Sequence, residues 1–216
     1  MTVRRKMLSL SCLVFLAMGL TLGAANAEST FDQEVALMTR LLDAKPGSTV
    51  ADIGAGDGEY AIALAQQVGP SGRIFATEID AQDRDKIAEA AEDAGIEQIV
   101  VATAELKATG LPPAICDAAV IRRVYHHITE PEDFAASLFE TIRSGGRLLV
   151  VDFPDAFWLG LLKPDGLPEN RTGHGIKPEI VIQELEAAGF KQIESIDPWP
   201  SAGFFTKDYA VVFERP

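Results

Sequence analysis

Two histidines and an aspartate have side chains that could act as a general base. His126 and His127 are adjacent, and Asp152 follows a later apolar run. Histidine titrates close to physiological pH, and a carboxylate can also act as a general base. The alternative for each residue is an ordinary place in a loop or a cap. We treat His126, His127 and Asp152 as candidate catalytic residues.

A glycine-rich turn could bring the backbone into contact with a ligand. Gly54, Gly56 and Gly58 directly follow the apolar run Thr49–Ile53, and a helix-compatible run comes next. Glycine tolerates φ > 0 and has no Cβ, and the free amides of a helix start face whatever lies over such a turn. An ordinary strand-to-helix turn would need one glycine rather than three. The dinucleotide fingerprint G-x-G-x-x-G fits poorly, because Glu59 stands at its third glycine position.

A carboxylate follows the second predicted strand. Glu78 closes the run Arg73–Thr77 and lies 20 residues after Gly58. At such a strand end a carboxylate can accept two hydrogen bonds from the vicinal hydroxyls of a ribose. The alternative is a solvated acid at a helix N-terminus, which also favours negative charge. The spacing from the glycine turn favours the ribose interpretation.

The elements that must position these residues alternate between strands and helices. This alternation predicts an α/β fold, a doubly wound parallel sheet with helices on both faces. Ligands of such sheets bind beyond the carboxyl ends of the strands, where the candidate residues fall. Two final strands without an intervening helix indicate a terminal antiparallel hairpin. The predicted strands are Thr49–Ile53, Arg73–Thr77, Gln98–Ala102, Cys116–Ile121, Leu148–Val151, Phe190–Ile196 and Phe205–Phe213.

Helix starts are marked by two predicted capping boxes, Thr30–Gln33 and Thr129–Glu132. Pro178 begins a later helix that Gly189 ends. Before the helix that begins at Pro178, residues 154–176 form a long irregular insertion that interrupts the alternation of strands and helices.

The N-terminus has the features of a secretory signal peptide. Arg4, Arg5 and Lys6 precede an apolar stretch, and Ala25–Ala27 form an A-x-A cleavage signal. A retained transmembrane anchor is the alternative. Both interpretations place the domain, residues 28–216, across the membrane. We expect an exported protein, periplasmic or secreted, with a signal peptide at residues 1–27.

The remaining chain is strongly acidic. Without residues 1–27 it has 16 basic residues against 32 acidic ones, a net charge of −16. Such a charge repels phosphate backbones and anionic lipid, so neither nucleic acid nor membrane is an expected partner. Cys116 is the one cysteine left, which excludes an intrachain disulfide and a cysteine-based metal site.

Taken together, the chain resembles the class I S-adenosylmethionine-dependent methyltransferases. The resemblance rests on Asp52–Gly58, on Glu78, on Asp117 opening the fourth strand, and on Gly145–Arg147 before the fifth. It covers residues 30–216. The segment Val124–His127 is similar to the loop after strand four in small-molecule members of the class.

This resemblance implies a Rossmann-like seven-stranded sheet of order 3-2-1-4-5-7-6, with strand seven antiparallel. S-adenosylmethionine is the implied cofactor, a small molecule the implied methyl acceptor, and no metal is implied. Thr103 stands where the family commonly has an aspartate for the adenine amino group, so a hydroxyl or a carbonyl would substitute. With one cysteine left, the arsenite-methylating branch is excluded. The implied cofactor-binding residues are Asp52, Gly54, Ala55, Gly56, Gly58, Glu78, Ile79, Thr103, Ala104 and Glu105.

Several alternatives stay open in the sequence. Arg122 or Arg123 could bind an acidic acceptor, or each could pair with a neighbouring acid. The apolar residues of the insertion (Phe157, Trp158, Leu159, Leu161 and Leu162), with Trp199 nearby, could form a lid or pack against the domain. Two rival functions are a binding protein without transferase activity and a nicotinamide oxidoreductase. The oxidoreductase is disfavoured by Glu59 and by the lack of a Tyr-x-x-x-Lys pair.

Overall fold

A single mixed sheet of seven strands organises the molecule. The computed structural model describes residues 29–154, 168, 170–171, 174–201 and 207–216. The strand order is β3-β2-β1-β4-β5-β7-β6, and β7 runs antiparallel to both of its neighbours. The predicted fold class, strand order and terminal hairpin are therefore confirmed. The strands are β1 (Thr49–Ile53), β2 (Arg73–Glu78), β3 (Ile99–Thr103), β4 (Cys116–Arg122), β5 (Ile142–Asp152), β6 (Lys191–Ile196) and β7 (Tyr209–Glu214).

Helices cover both faces of this sheet, so its central strands are apolar on both sides. They are α1 (Thr30–Leu41), α2 (Glu59–Val68), α3 (Ala81–Asp93), α4 (Pro131–Thr141) and α5 (Pro178–Ala187). One core packs α1, α2 and α3 against Val50 and Val120, and the other packs α4 and α5 against Ala51 and Ile121. Because alternate residues of a strand point into opposite cores, the position of a polar residue at a strand end determines the sheet face on which its side chain lies.

The capping details differ from the sequence prediction. The box at α1 begins one residue earlier than predicted: Ser29 Oγ accepts from the Asp32 amide at 3.1 Å, and the Asp32 carboxylate accepts from the Ser29 amide. At α4 the N-cap is Glu130 and no side chain caps the helix. Pro131 occupies the first helical position, where its missing N–H leaves nothing unpaired.

Two strand boundaries also differ. β5 begins at Ile142, six residues before the predicted start, and a register irregularity between Cys116 and Ala118 accommodates its glycines. β7 begins at Tyr209, and the predicted start at Phe205 lies outside the described residues. Residues 1–28 and 155–167 are also outside, so the signal peptide and the apolar insertion stay predictions. None of the described helices has the length and apolar character needed to cross a bilayer.

Candidate active site

The carboxyl ends of five parallel strands meet at one edge of the sheet. Asp52 lies near the end of β1 and the glycine turn follows that strand, Glu78 ends β2, and Thr103 ends β3 directly opposite Glu78 in the register. His126 follows β4 in a short 3₁₀ turn, Tyr125–His127, and Asp152 ends β5. The structure therefore gathers the predicted cofactor-binding and catalytic residues along this edge.

The glycine turn is tied to β2 and leaves one side open. The amides of Gly54 and Ala55 both donate to the Thr77 carbonyl, at 2.9 and 3.0 Å. Gly54 has φ +75°, and a Cβ there would lie 2.7 Å from a Val124 methyl carbon. Gly56 has φ +58°, and a Cβ there would meet no atom of the described residues within 4 Å. The turn therefore packs tightly against the loop after β4 and presents open space above Gly56.

Glu78 lies over that open side. Its carboxylate accepts a hydrogen bond from the Gly56 amide at 3.2 Å and one from the Ile79 amide at 2.9 Å. These backbone donors fix the carboxylate at the strand end while leaving further acceptor capacity. Such an arrangement can receive two ribose hydroxyls.

The neighbouring β3 end lies beside Glu78. The Ala104 amide donates to the Glu78 carbonyl at 3.1 Å, and Glu105 forms an isolated bridge with Ala108. Thr103 is exposed, so its hydroxyl is available to a ligand. Two large apolar side chains beside this polar site are exposed, Ile79 at 52% and Leu106 at 62%. The sequence analysis did not select Leu106, although an apolar residue in a short charged loop was a visible signal.

Asp52 is the most perturbed acid of the site. Its side chain is 3% exposed, and the buried Oδ2 has no hydrogen-bond partner among the described residues. Burial raises the pKa of Asp52 to about 7, Arg122 opposes that rise, and the negative charges of Glu78 and Asp57 add to it. The buried Thr77 Oγ1 also has no partner. The buried, unpaired Asp52 oxygen fits a ligand that brings a hydrogen-bond donor or positive charge.

A buried imidazole and carboxylate form a close pair at the ends of β4 and β5. His126 Nδ1 lies 2.8 Å from Asp152 Oδ1, and the His126 amide donates to Asp152 Oδ2 at 3.1 Å. The Phe153 amide also donates to Oδ1, at 2.9 Å. Since a carboxylate only accepts, Nδ1 carries the imidazole proton and Nε2 is the basic nitrogen.

His127 packs against His126 from the exposed side, with the two rings tilted by 44°. The two imidazole centroids are 3.9 Å apart. Desolvation lowers the pKa of His127, and the charges of His126 and His174 lower it further, whereas Asp152 raises it. The histidine of the insertion, His174, is thus close enough to affect His127. Within the described ranges, no cluster of three or more His, Cys, Asp or Glu residues could hold a metal ion.

Arg122, the last residue of β4, and Arg123 after it each have an acidic partner, as one of the two sequence interpretations expected. Arg122 pairs with Glu34 at 3.3 Å, and Arg123 donates twice to the buried Asp208. Trp199 is 1% exposed and donates to Glu34, so Trp199 itself is packed rather than placed over the site as a lid. Sequence reasoning missed Glu34, because an acid inside an amphipathic helix ordinarily faces solvent.

This edge defines a class of protein. A doubly wound sheet with a glycine turn after β1 and an acid ending β2 is a Rossmann-like nucleoside-binding arrangement. A family model described as "Methyltransferase domain" matches residues 51–150. A SAM-dependent methyltransferase from Aquifex aeolicus, solved by crystallography, superposes with a TM-score of 0.70 at 20% identity, covering 85% of this chain and 90% of that one.

Curated relatives agree with the fold. The protein-L-isoaspartate O-methyltransferase of Methanopyrus kandleri is 31% identical over 164 residues, 74% of this chain and 69% of that enzyme. The ubiquinone/menaquinone biosynthesis C-methyltransferase UbiE of Stutzerimonas stutzeri is 32% identical over 117 residues, 52% of this chain and 44% of that enzyme. The chain spans well under half of other relatives, 36% of one and 42% of another. The chain belongs to the class I S-adenosylmethionine-dependent methyltransferases, and S-adenosylmethionine is its cofactor.

The residues present fit this cofactor. The open space above Gly56, the backbone-fixed Glu78 carboxylate and the unpaired Asp52 Oδ2 lie on consecutive parts of one edge. Together they offer room for a ligand backbone, acceptors for a ribose and a negative charge for a cationic group.

Replacing Glu78 with alanine is expected to raise the Kd for S-adenosylmethionine about ten- to a hundredfold, because hydrogen bonds to a charged group contribute roughly 1.5–3 kcal/mol. Isothermal titration calorimetry of wild type and variant measures this change. The matched control is Glu89→Ala, which removes an exposed acid on α3 and should leave binding of S-adenosylmethionine unchanged. An unchanged Kd for Glu78→Ala would contradict the ribose assignment.

Proposed function

We propose that this methyltransferase acts on a small molecule and methylates a group that carries a proton, such as a hydroxyl or an amine, with His126 as the general base. The observation that carries the proposal is the buried His126–Asp152 pair beside the donor site. When bound, the donor supplies a methyl group already activated on a sulfonium. The protein's task is then to hold the acceptor in line, where positioning supplies up to about 7–11 kcal/mol, and to remove its proton.

The geometry of the pair suits proton removal. Asp152 fixes the imidazole with Nδ1 protonated, which leaves Nε2 to accept a proton from the acceptor. The Asp152 carboxylate also stabilises the imidazolium that forms. Asp152 is thus a positioning residue rather than the base.

A protic acceptor is favoured over a carboxylate. The name of the Methanopyrus kandleri relative denotes O-methylation of protein L-isoaspartate. A carboxylate acceptor is already deprotonated near neutral pH and needs no base. The net charge of −16 after signal removal also disfavours an acidic macromolecule as substrate. A small hydroxyl or amine acceptor is the better match to the His126–Asp152 pair.

The test is a metabolite screen. Purified residues 28–216 are incubated with S-adenosylmethionine carrying a deuterated methyl group and a small-molecule extract, and products with the label are sought by mass spectrometry. Labelled product identifies the acceptor and supports catalysis. Donor binding without any labelled product would favour the alternative, a binding protein that has lost transfer.

We also propose export through residues 1–27. The supporting observation is the order of the basic segment, the apolar stretch and the Ala25–Ala27 cleavage signal. Residues 1–30 fused to alkaline phosphatase are expected to give activity outside the cytoplasm, and N-terminal sequencing of the full chain is expected to begin at Glu28. A fusion that lacks residues 1–27 is the control. An active but uncleaved fusion would indicate a retained anchor, and an inactive one would contradict export.

A further inference from the structure

An ion pair lies at the carboxyl end of β4, on the sheet face covered by α1 and α2. Arg122 Nη2 lies 3.3 Å from Glu34 Oε2, and the Arg122 guanidinium carbon lies 4.4 Å from the centroid of the Tyr60 ring. Glu34 is 2% exposed and also accepts from Tyr60, Trp199 and Ser201. The guanidinium is therefore positioned by side chains from two helices.

Arg122 has more donors than these contacts use. Its Nε is buried and has no hydrogen-bond partner in the described structure. The 3.3 Å contact to Glu34 is longer than the roughly 2.7–2.9 Å usual for N–H donors to a carboxylate. Its side chain is 21% exposed, so a ligand can reach it. A positioned guanidinium with unused N–H groups is suited to bind a further carboxylate.

Asp52 projects from the same face of the sheet. The register pairs Asp52 with Val120, and side chains alternate along a strand, so Arg122 lies two residues further on the same side. Asp52 Oδ2 is buried and, in the part of the chain that the structure describes, has no hydrogen-bond partner. An unpaired carboxylate and a guanidinium with unused donors thus end two adjacent strands. That charge pattern is complementary to the zwitterion of an α-amino acid.

The strand order fixes which end of the donor meets this pair. With the ribose at Glu78 on β2 and the glycine turn after β1, the remaining end of an extended ligand lies over β1 and β4. We propose that Arg122 binds the carboxylate of the donor's amino-acid end while Asp52 binds its ammonium group, with Glu34 as a positioning residue for Arg122. The inference deepens the proposed function but concerns donor binding, so it is tested without turnover.

The test compares two ligands that differ by one carboxylate. Full-length wild type, Arg122→Gln and the surface control Arg40→Gln are titrated with S-adenosylmethionine and with its decarboxylated analogue. Wild type and control are expected to bind S-adenosylmethionine about ten- to a hundredfold more tightly than the analogue. In Arg122→Gln that preference should disappear, with the affinity for the analogue nearly unchanged. Glu34→Gln should reduce the same preference in part.

The analogue separates this contact from an indirect effect on Asp52. If Arg122 acted only through the charge of Asp52, Arg122→Gln would weaken both ligands equally, and the proposal would be overturned. It would also be overturned if the preference for the carboxylate survived intact. Thermal unfolding checks that the variant is folded, and Arg122→Lys, which keeps the charge, replaces it if it is not. Absence of a methyl acceptor would leave these binding ratios unaffected and would bear only on the proposed function.

Discussion

Replacing His126 with glutamine is expected to lower kcat by about two to four orders of magnitude, the contribution typical of a positioned general base. The reason is that Nε2 is the one basic nitrogen of an imidazole whose Nδ1 is bonded to Asp152 at 2.8 Å. Donor binding should change little, because Glu78 and the glycine turn lie on β2 and β1. Single-turnover kinetics with the acceptor found by the metabolite screen measure the chemical step directly.

The matched control is His127→Gln, which removes the adjacent, exposed imidazole and should keep most of the activity. Asp152→Asn should lower kcat as well, because an amide N–H facing Nδ1 favours the other tautomer. Equal losses in the two histidine variants would contradict His126 as the base.

The fold could be predicted because its signals are local. Apolar runs ending in Asp52 or Glu78, glycines at a strand-to-helix turn and a helix-free terminal pair of strands each specify their own element. Once the strands are parallel, their carboxyl ends share an edge, so the candidate site follows from topology. The early start of β5 was missed because Ile142–Arg147 is polar and glycine-rich, and its pairing with Cys116 depends on an irregular register.

The side-chain partnerships could not be predicted, because they join distant parts of the chain. Glu34 is bonded to Tyr60, Arg122 and Trp199, which are 26, 88 and 165 residues away. No periodicity in α1 distinguishes a buried acid with these partners from a solvated one. Asp152 and His126 were both selected, but their contact depends on how the 3₁₀ turn Tyr125–His127 folds back over β5. Sequence chemistry therefore names candidates, and packing decides which of them act together.

Asp52 is expected to make the stability of the donor-free protein fall as the pH rises. Its pKa in the fold is about 7 against an ordinary value of 3.8, so folding favours the protonated acid. The associated stability is fully present below about pH 4 and is lost as the pH rises through about 7, on the order of 4 kcal/mol in all. Asp52→Asn should remove this loss. Denaturant unfolding of both proteins at acid and at alkaline pH measures how the free energy of unfolding changes with pH. The contributions of the other titrating groups cancel when the two proteins are compared.

The same acid should make donor binding depend on pH in the opposite direction. A bound ammonium group favours ionised Asp52, so affinity should rise with pH up to about 7, and about half a proton should be released per donor bound near that pH. Calorimetry in buffers of different ionisation enthalpy counts that proton, and Glu89→Gln, which removes an exposed acid of α3, is the control. In Asp52→Asn binding should be weaker and lose this dependence. If Asp52→Asn is more stable than wild type but binds the donor more weakly, Asp52 destabilises the fold and is retained because it binds the donor. Unchanged stability and unchanged affinity in Asp52→Asn would contradict that role.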